Sequence, residues 1–190
     1  MTRGRLRIYL GAAPGVGKTF AMLAEGARRA ARGADVLVGV VDTHGRPMTA
    51  DALRGLPALP NADSGELDVA AVLARRPKVV LVDDLAHANA PTGRHKRRWE
   101  DVDDLLRAGI DVVSTLNIQH LESLSDVVES IIGRPELDTV PDAFVRRADQ
   151  LELIDMAPEA LRSRIAHGNV YEPEQPTDNE YFRVGNLAAL

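Results

Sequence analysis

The chain has 190 residues, a formal net charge of −5 and 45% hydrophobic residues, enough for one α/β domain but without the positive field that draws proteins to nucleic acid or anionic membranes. It contains no cysteine, which fits a reducing compartment and excludes disulfide scaffolds and thiolate metal sites. No apolar run approaches the roughly 20 residues of a membrane helix, and the basic start runs directly into a glycine-rich loop, not into a signal-peptide core, so a cytoplasmic protein with no direct membrane insertion is expected.

Residues 5–10 end in the apolar Ile8, Tyr9 and Leu10 and read as a buried strand. The loop that follows is Ala12, Ala13, Pro14, Gly15, Val16, Gly17, Lys18 and Thr19. Gly15 and Gly17 allow a tight turn whose N–H groups point into one concavity. The helix expected over 18–32 starts there and aims its unpaired amides and positive dipole end at the same point. Lys18 adds a mobile cation for the outer phosphates, and the Thr19 hydroxyl suits Mg²⁺. Strand, loop and helix together predict a phosphate loop that binds a nucleoside triphosphate with Mg²⁺, although Ala12, preceded by Gly11, stands where the first glycine usually lies.

Further strands are expected at 35–41, 78–82, 110–116 and 150–154, and helices at 50–56, 67–75, 96–108, 118–132 and 158–166. Near-continuous Val/Ile/Leu strands alternating with helices predict a P-loop NTPase-like three-layer α/β sandwich with a mostly parallel sheet, and its ligand crevice lies beyond the carboxyl ends of the strands.

The strand ends therefore carry the candidate chemistry. Residues 78–82 lead into Asp83 and Asp84, where Asp83 is assigned to Mg²⁺ and Asp84 is the candidate base for an attacking water, or else a strand–loop cap or a helper with the metal. The strand at 110–116 brings Ser114, Thr115 and Asn117, read either as reporters of the γ-phosphate or as helix caps. After residue 41 come Asp42 at the cleft mouth and Arg46, which approaches a phosphate or belongs to an ordinary turn. The basic run Arg94, His95, Lys96, Arg97 and Arg98 reads as a charge clamp, supplied to the same or a neighbouring subunit, or as a solvated helix start. His87, His95 and His120 lack metal-ligand spacing.

Several segments resemble the N-terminal cytoplasmic domain of the osmosensitive potassium-channel sensor histidine kinases, the KdpD family. They are residues 11–19, Asp42-Thr43-His44-Gly45-Arg46, Leu81-Val82-Asp83-Asp84-Leu85-Ala86-His87 and Arg98-Trp99-Glu100-Asp101-Val102. The most distinctive is Thr115-Leu116-Asn117-Ile118-Gln119-His120-Leu121-Glu122-Ser123-Leu124, and the likeness extends over nearly the whole chain. The resemblance implies an ATP-binding regulatory domain of a bacterial two-component sensor that controls potassium uptake. The downstream domains of the same kinase would be its partners, with a homodimer left open and nucleic acid excluded. It also implies full-length proteins of the inner membrane with this domain in the cytoplasm. This chain lacks the histidine-kinase core, so phosphorelay is not expected of it. Where relatives commonly carry Glu, it has Asp42 and Asp84, and the shorter acid at 84 argues against hydrolysis. The connection 59–66 also looks shorter than usual. Residues 1–170 are read as the nucleotide-binding sensor domain and 171–190 as a C-terminal extension toward a further domain. The rival expectation is a P-loop ATPase or small-acceptor kinase with its own turnover.

Overall fold

A computed structural model of the protein describes residues 2–60, 62, 65–132, 137–157, 159–161 and 163. Five strands form one sheet: β1 (Leu6–Gly11), β2 (Val36–Val40), β3 (Val79–Val82), β4 (Asp111–Asn117) and β5 (Gln150–Ile154). Their order is β2-β3-β4-β1-β5 and every pairing is parallel. All five lie within a residue or so of the predicted strands, because unbroken aliphatic runs bounded by Gly, Asp and Asn specify buried parallel strands locally.

Each face of the sheet has its own core. On one, Leu6, Ile8, Val80 and Val112 pack with Val72 of α3 (Val69–Arg75), Val102, Leu105 and Leu106 of α4 (Arg98–Arg107), and Phe144 of α6 (Asp142–Val145). On the other, Tyr9, Val38, Leu81 and Val113 pack with Met22 and Leu23 of α1 (Lys18–Ala31) and are flanked by Ala52 and Leu53 of α2 (Pro47–Arg54). This is the expected helix–sheet–helix sandwich. A third, smaller cluster lies beneath the glycine-rich loop, where Ala13 and Val16 meet Val128 of α5 (Ser125–Ile132) and Leu161.

Three helices differ from expectation. α2 begins at Pro47, three residues before the predicted start, since proline suits the first helical turn where no N–H partner is needed. The predicted helix over 118–132 is broken into 3₁₀ turns at Ile118–His120 and Glu122–Leu124, followed by α5. The cause is tertiary: Val140 N–H donates to His120 O at 2.7 Å and Glu122 N–H to Val140 O at 3.2 Å, which diverts backbone groups a continuous helix would use. α6 has no counterpart in the predicted elements; it follows Pro141, and Phe144 meets Trp99 with ring centroids 5.4 Å apart. The helix expected at 158–166 falls largely, and the extension 171–190 wholly, outside the described residues, although 159–161 and 163 are helical.

The outer edge of β2 is covered by the segment after α2. Val38 N–H donates to Pro57 O, Leu59 N–H to Val38 O and Val41 N–H to Ala62 O, at 2.8–2.9 Å. This strap carries the chain to Gly65 and Glu66, beside the carboxyl ends of the strands.

Candidate functional site

The carboxyl ends of β1, β2, β3 and β4 surround a cleft of about 150 Å³. The first wall is the loop after β1. Gly17 is the N-cap of α1 with φ +106°, a left-handed conformation that favours glycine, and no side chain caps the helix, so its first-turn amides face outward. At Gly11 the constraint is close approach instead: an added Cβ would lie 2.7 Å from Val16 Cγ2 and 2.8 Å from Lys18 Cδ. Pro14, Gly15, Gly17, Lys18 and Thr19 line the cleft. Ala12, Ala13 and Val16 are not among the lining residues; Ala13 and Val16 are buried as anchors of the loop.

Lys18 is buried, and its ammonium donates to Ala13 O at 2.8 Å and to Asn117 Oδ1 at 2.5 Å. Burial lowers its pKa to about 8 against the opposing attraction of Asp83 and Asp84. The loop after β1 and the end of β4 are thus joined directly, through Lys18 and Asn117.

Asp83 follows directly on β3 and is buried. Its carboxylate accepts from the Thr19 hydroxyl at 3.1–3.2 Å, from the Thr115 hydroxyl at 2.6 Å and from Asp42 N–H at 3.3 Å. Burial pushes the Asp83 carboxyl above the usual carboxylate range, with repulsion from Asp84 adding to it and the hydrogen bonds resisting it. Asp84 takes φ +54°, unusual for a non-glycine residue. Its N–H donates to Thr115 Oγ1 at 2.9 Å, and its own Oδ1 accepts from Ala86 N–H at 3.2 Å. The carboxylate therefore caps the turn as well as lining the cleft. Arg46 is the N-cap of α2 and lines the same cleft, facing Lys18 closely enough to disfavour its charge.

The residues named in the sequence thus converge, and two roles escaped sequence reading. Thr115, which the sequence offers as reporter or cap, ties Asp83 to Asp84 through its hydroxyl. In the run 94–98, Arg98 lines the cleft, whereas Arg94 and Lys96 are exposed to solvent. Arg94 and His95 pair with Asp104, Arg97 with Asp138, and Arg98 is buried. His87 pairs with Glu66, and His95 shares Asp104 with Arg94.

Does Mg²⁺-nucleotide fit? Three cations (Lys18, Arg46 and Arg98) share one cleft with an uncapped helix start, an arrangement that favours a polyanion. The Thr19 hydroxyl and Asp83 carboxylate stand together as a hard oxygen pair suited to Mg²⁺. Among the described residues no helix is long and apolar enough to cross a membrane.

The family described as KdpD, osmosensitive K⁺ channel His kinase sensor domain, matches residues 2–190. The chain is 57% identical over 197 residues to the Sensor protein KdpD of Mycobacterium tuberculosis, covering 99% of this chain and 23% of that protein. It is 50% identical to the Sensor protein KdpD of Escherichia coli over 198 residues, 99% of this chain and 22% of that protein. With the Putative sensor protein KdpD of Synechocystis the identity is 42%, over 99% of this chain and 53% of that protein. The chain therefore spans less than a quarter of the first two relatives. A solved structure, the flagellar accessory protein FlaH of Methanocaldococcus jannaschii, is similar over 68% of this chain and 69% of its own at 16% identity and a TM-score of 0.40, too slight a likeness to bear on the argument.

Proposed function

The chain belongs to the KdpD family of osmosensitive potassium-channel histidine-kinase sensor domains, and from that premise we propose that it is a regulatory domain that binds Mg²⁺-ATP at the carboxyl edge of its sheet. The observation that carries this reading is the meeting of two segments in one cleft: the uncapped start of α1, with the Lys18 ammonium and the Thr19 hydroxyl, and Asp83 at the end of β3, which pairs with Thr19. Lys18 would reach the outer phosphates, the amides of residues 15–19 would cradle them, and Thr19 with Asp83 would hold Mg²⁺, which supplies charge neutralisation between the phosphates. The adenine preference comes from the family, not from a base-reading residue.

A ligand regulates only through different affinities for two conformations. Here the route is short. Lys18 holds Asn117, the last residue of β4, and the chain continues directly into the 3₁₀ turns and α5. A lysine recruited to phosphate gives up its bonds to Asn117 and Ala13 O, so the segment 117–132 and the loops at 42–46 and 84–95 take a different set of contacts. The remainder of a longer sensor protein would read that change.

Calorimetric titration with a non-hydrolysable ATP analogue and Mg²⁺ tests the reading. Binding by the wild-type chain and at least about a hundredfold loss in Lys18→Ala, with the circular dichroism spectrum preserved, are expected. Equal affinity in the two proteins would refute the proposal.

A further inference from the structure

Arg98 is the first residue of α4 and only 3% exposed. A cation at a helix N-terminus opposes the dipole, and a buried guanidinium ordinarily takes a carboxylate partner. Arg98 makes no ion pair among the described residues. Nη1 donates to Asp83 O at 2.8 Å and more weakly to Asp84 O at 3.5 Å, and Nη2 donates to Gly65 O at 2.5 Å. Its Nε is buried with no partner among the described residues, in a side chain that lines the cleft. Burial lowers its pKa against the attraction of Asp84, Asp83, Glu66 and Asp101.

The carbonyls it selects are informative. Asp83 and Asp84 are where the chain leaves β3 and turns through φ +54°, and Gly65 lies at the end of the strap along β2. The Arg98 main chain adds a further tie, its N–H donating to His87 O at 3.1 Å. One planar fork therefore joins the strap, the acidic corner and the start of α4. Lysine cannot reproduce this, because an ammonium lacks the paired, coplanar donors that reach two carbonyls at once.

We propose that Arg98 is the positioning residue of the metal and phosphate edge of the cleft: by clamping the backbone at Asp83, Asp84 and Gly65, it fixes the direction of the Asp83 carboxylate toward Thr19. This rests on the Mg²⁺-nucleotide reading for its consequence but not for the clamp itself. Groups that orient a metal-holding side chain typically matter by ten- to a hundredfold in metal affinity.

The test uses Arg98→Lys and Arg98→Gln, with two readouts. In nucleotide-free protein, amide hydrogen exchange at Leu85 and His87, which donate to Thr115 O and Asp84 O, is expected to accelerate at least tenfold in both variants while the amides of β1 and β4 stay protected. With ligand, the ratio of ATP affinity in Mg²⁺ to that in EDTA is expected to fall at least tenfold in both, with partial recovery in Arg98→Gln on adding methylguanidinium. Unchanged exchange at those amides, an unchanged affinity ratio, full function in Arg98→Lys, or loss of the whole fold in both variants would overturn the proposal. If the wild type binds no Mg²⁺-ATP, the nucleotide reading fails while the exchange readout still decides the clamp.

Discussion

The Thr115 hydroxyl lies 2.6 Å from the Asp83 carboxylate and also receives the N–H of Asp84 at 2.9 Å, so one side chain on β4 fixes both acids at the end of β3. Thr115→Val keeps the shape and removes both bonds. It leaves the Asp84 N–H without that acceptor and Asp83 without one of its donors, which costs about 1–3 kcal/mol in urea denaturation. The same variant weakens Mg²⁺-dependent nucleotide binding, read by titration with and without EDTA.

Asp83 is a carboxyl whose folded pKa stands above its unfolded value. Such a group binds more protons folded than unfolded, so its contribution to stability declines as pH rises from about 4 toward the folded value. Asp83→Asn removes that charge penalty. At pH 7 the metal-free variant should be at least as stable as the wild type, measured by thermal melting, while its Mg²⁺-dependent ATP affinity is lost. A large destabilisation at pH 7 would contradict this.

Lys18 titrates in the opposite sense. Its folded pKa, about 8, lies below the unfolded value, so the Lys18 contribution to stability rises with pH between about 8 and about 10.5. Phosphate favours the charged form. ATP affinity should therefore weaken above about pH 8, approaching tenfold per pH unit, with proton uptake on binding visible in buffers of different ionisation enthalpy. A flat profile from pH 7 to 9.5 would show that Lys18 does not meet the phosphates.

Glu25 is a buried carboxylate on α1 held by Arg7 of β1 and by Arg28 and Arg29 of its own helix at 2.8–3.3 Å. These arginines outweigh the burial and hold its carboxyl below the usual range. A depressed folded pKa stabilises above the unfolded value and loses that stability as pH falls through the folded one. Glu25→Gln should cost about 2–4 kcal/mol at pH 7 by denaturation, in line with breaking a buried ion pair, and much less near pH 3. ATP binding should be retained, since Glu25 stands away from the cleft.

Asp84 decides between a binding domain and an enzyme. One oxygen of its carboxylate accepts from Ala86 N–H, which ties it to the turn while the residue lines the cleft. Phosphate release under saturating Mg²⁺-ATP is expected to stay below about 1 s⁻¹, under the ordinary enzyme range. A faster rate abolished by Asp84→Asn would favour the ATPase reading.

Local chemistry determined much of this protein. The five strands are short aliphatic runs that cannot be satisfied except inside a sheet, and the glycines and helix start of residues 11–19 encode a tight turn into an uncapped helix over a few consecutive residues. Asp83 and Asn117 could be placed because strand ends converge in any parallel sheet. What tertiary structure alone decided were pairings between distant residues. Thr115 bonds Asp83 across 32 positions and Arg98 bonds Gly65 across 33, neither of which leaves a periodic trace. The same cause broke the helix expected at 118–132, where Val140 captured backbone groups that local propensity alone would have committed to helix. Periodicity records which face of an element is buried; the partner of a buried polar group is fixed only when the sheet order brings β3, β4 and α4 to one edge.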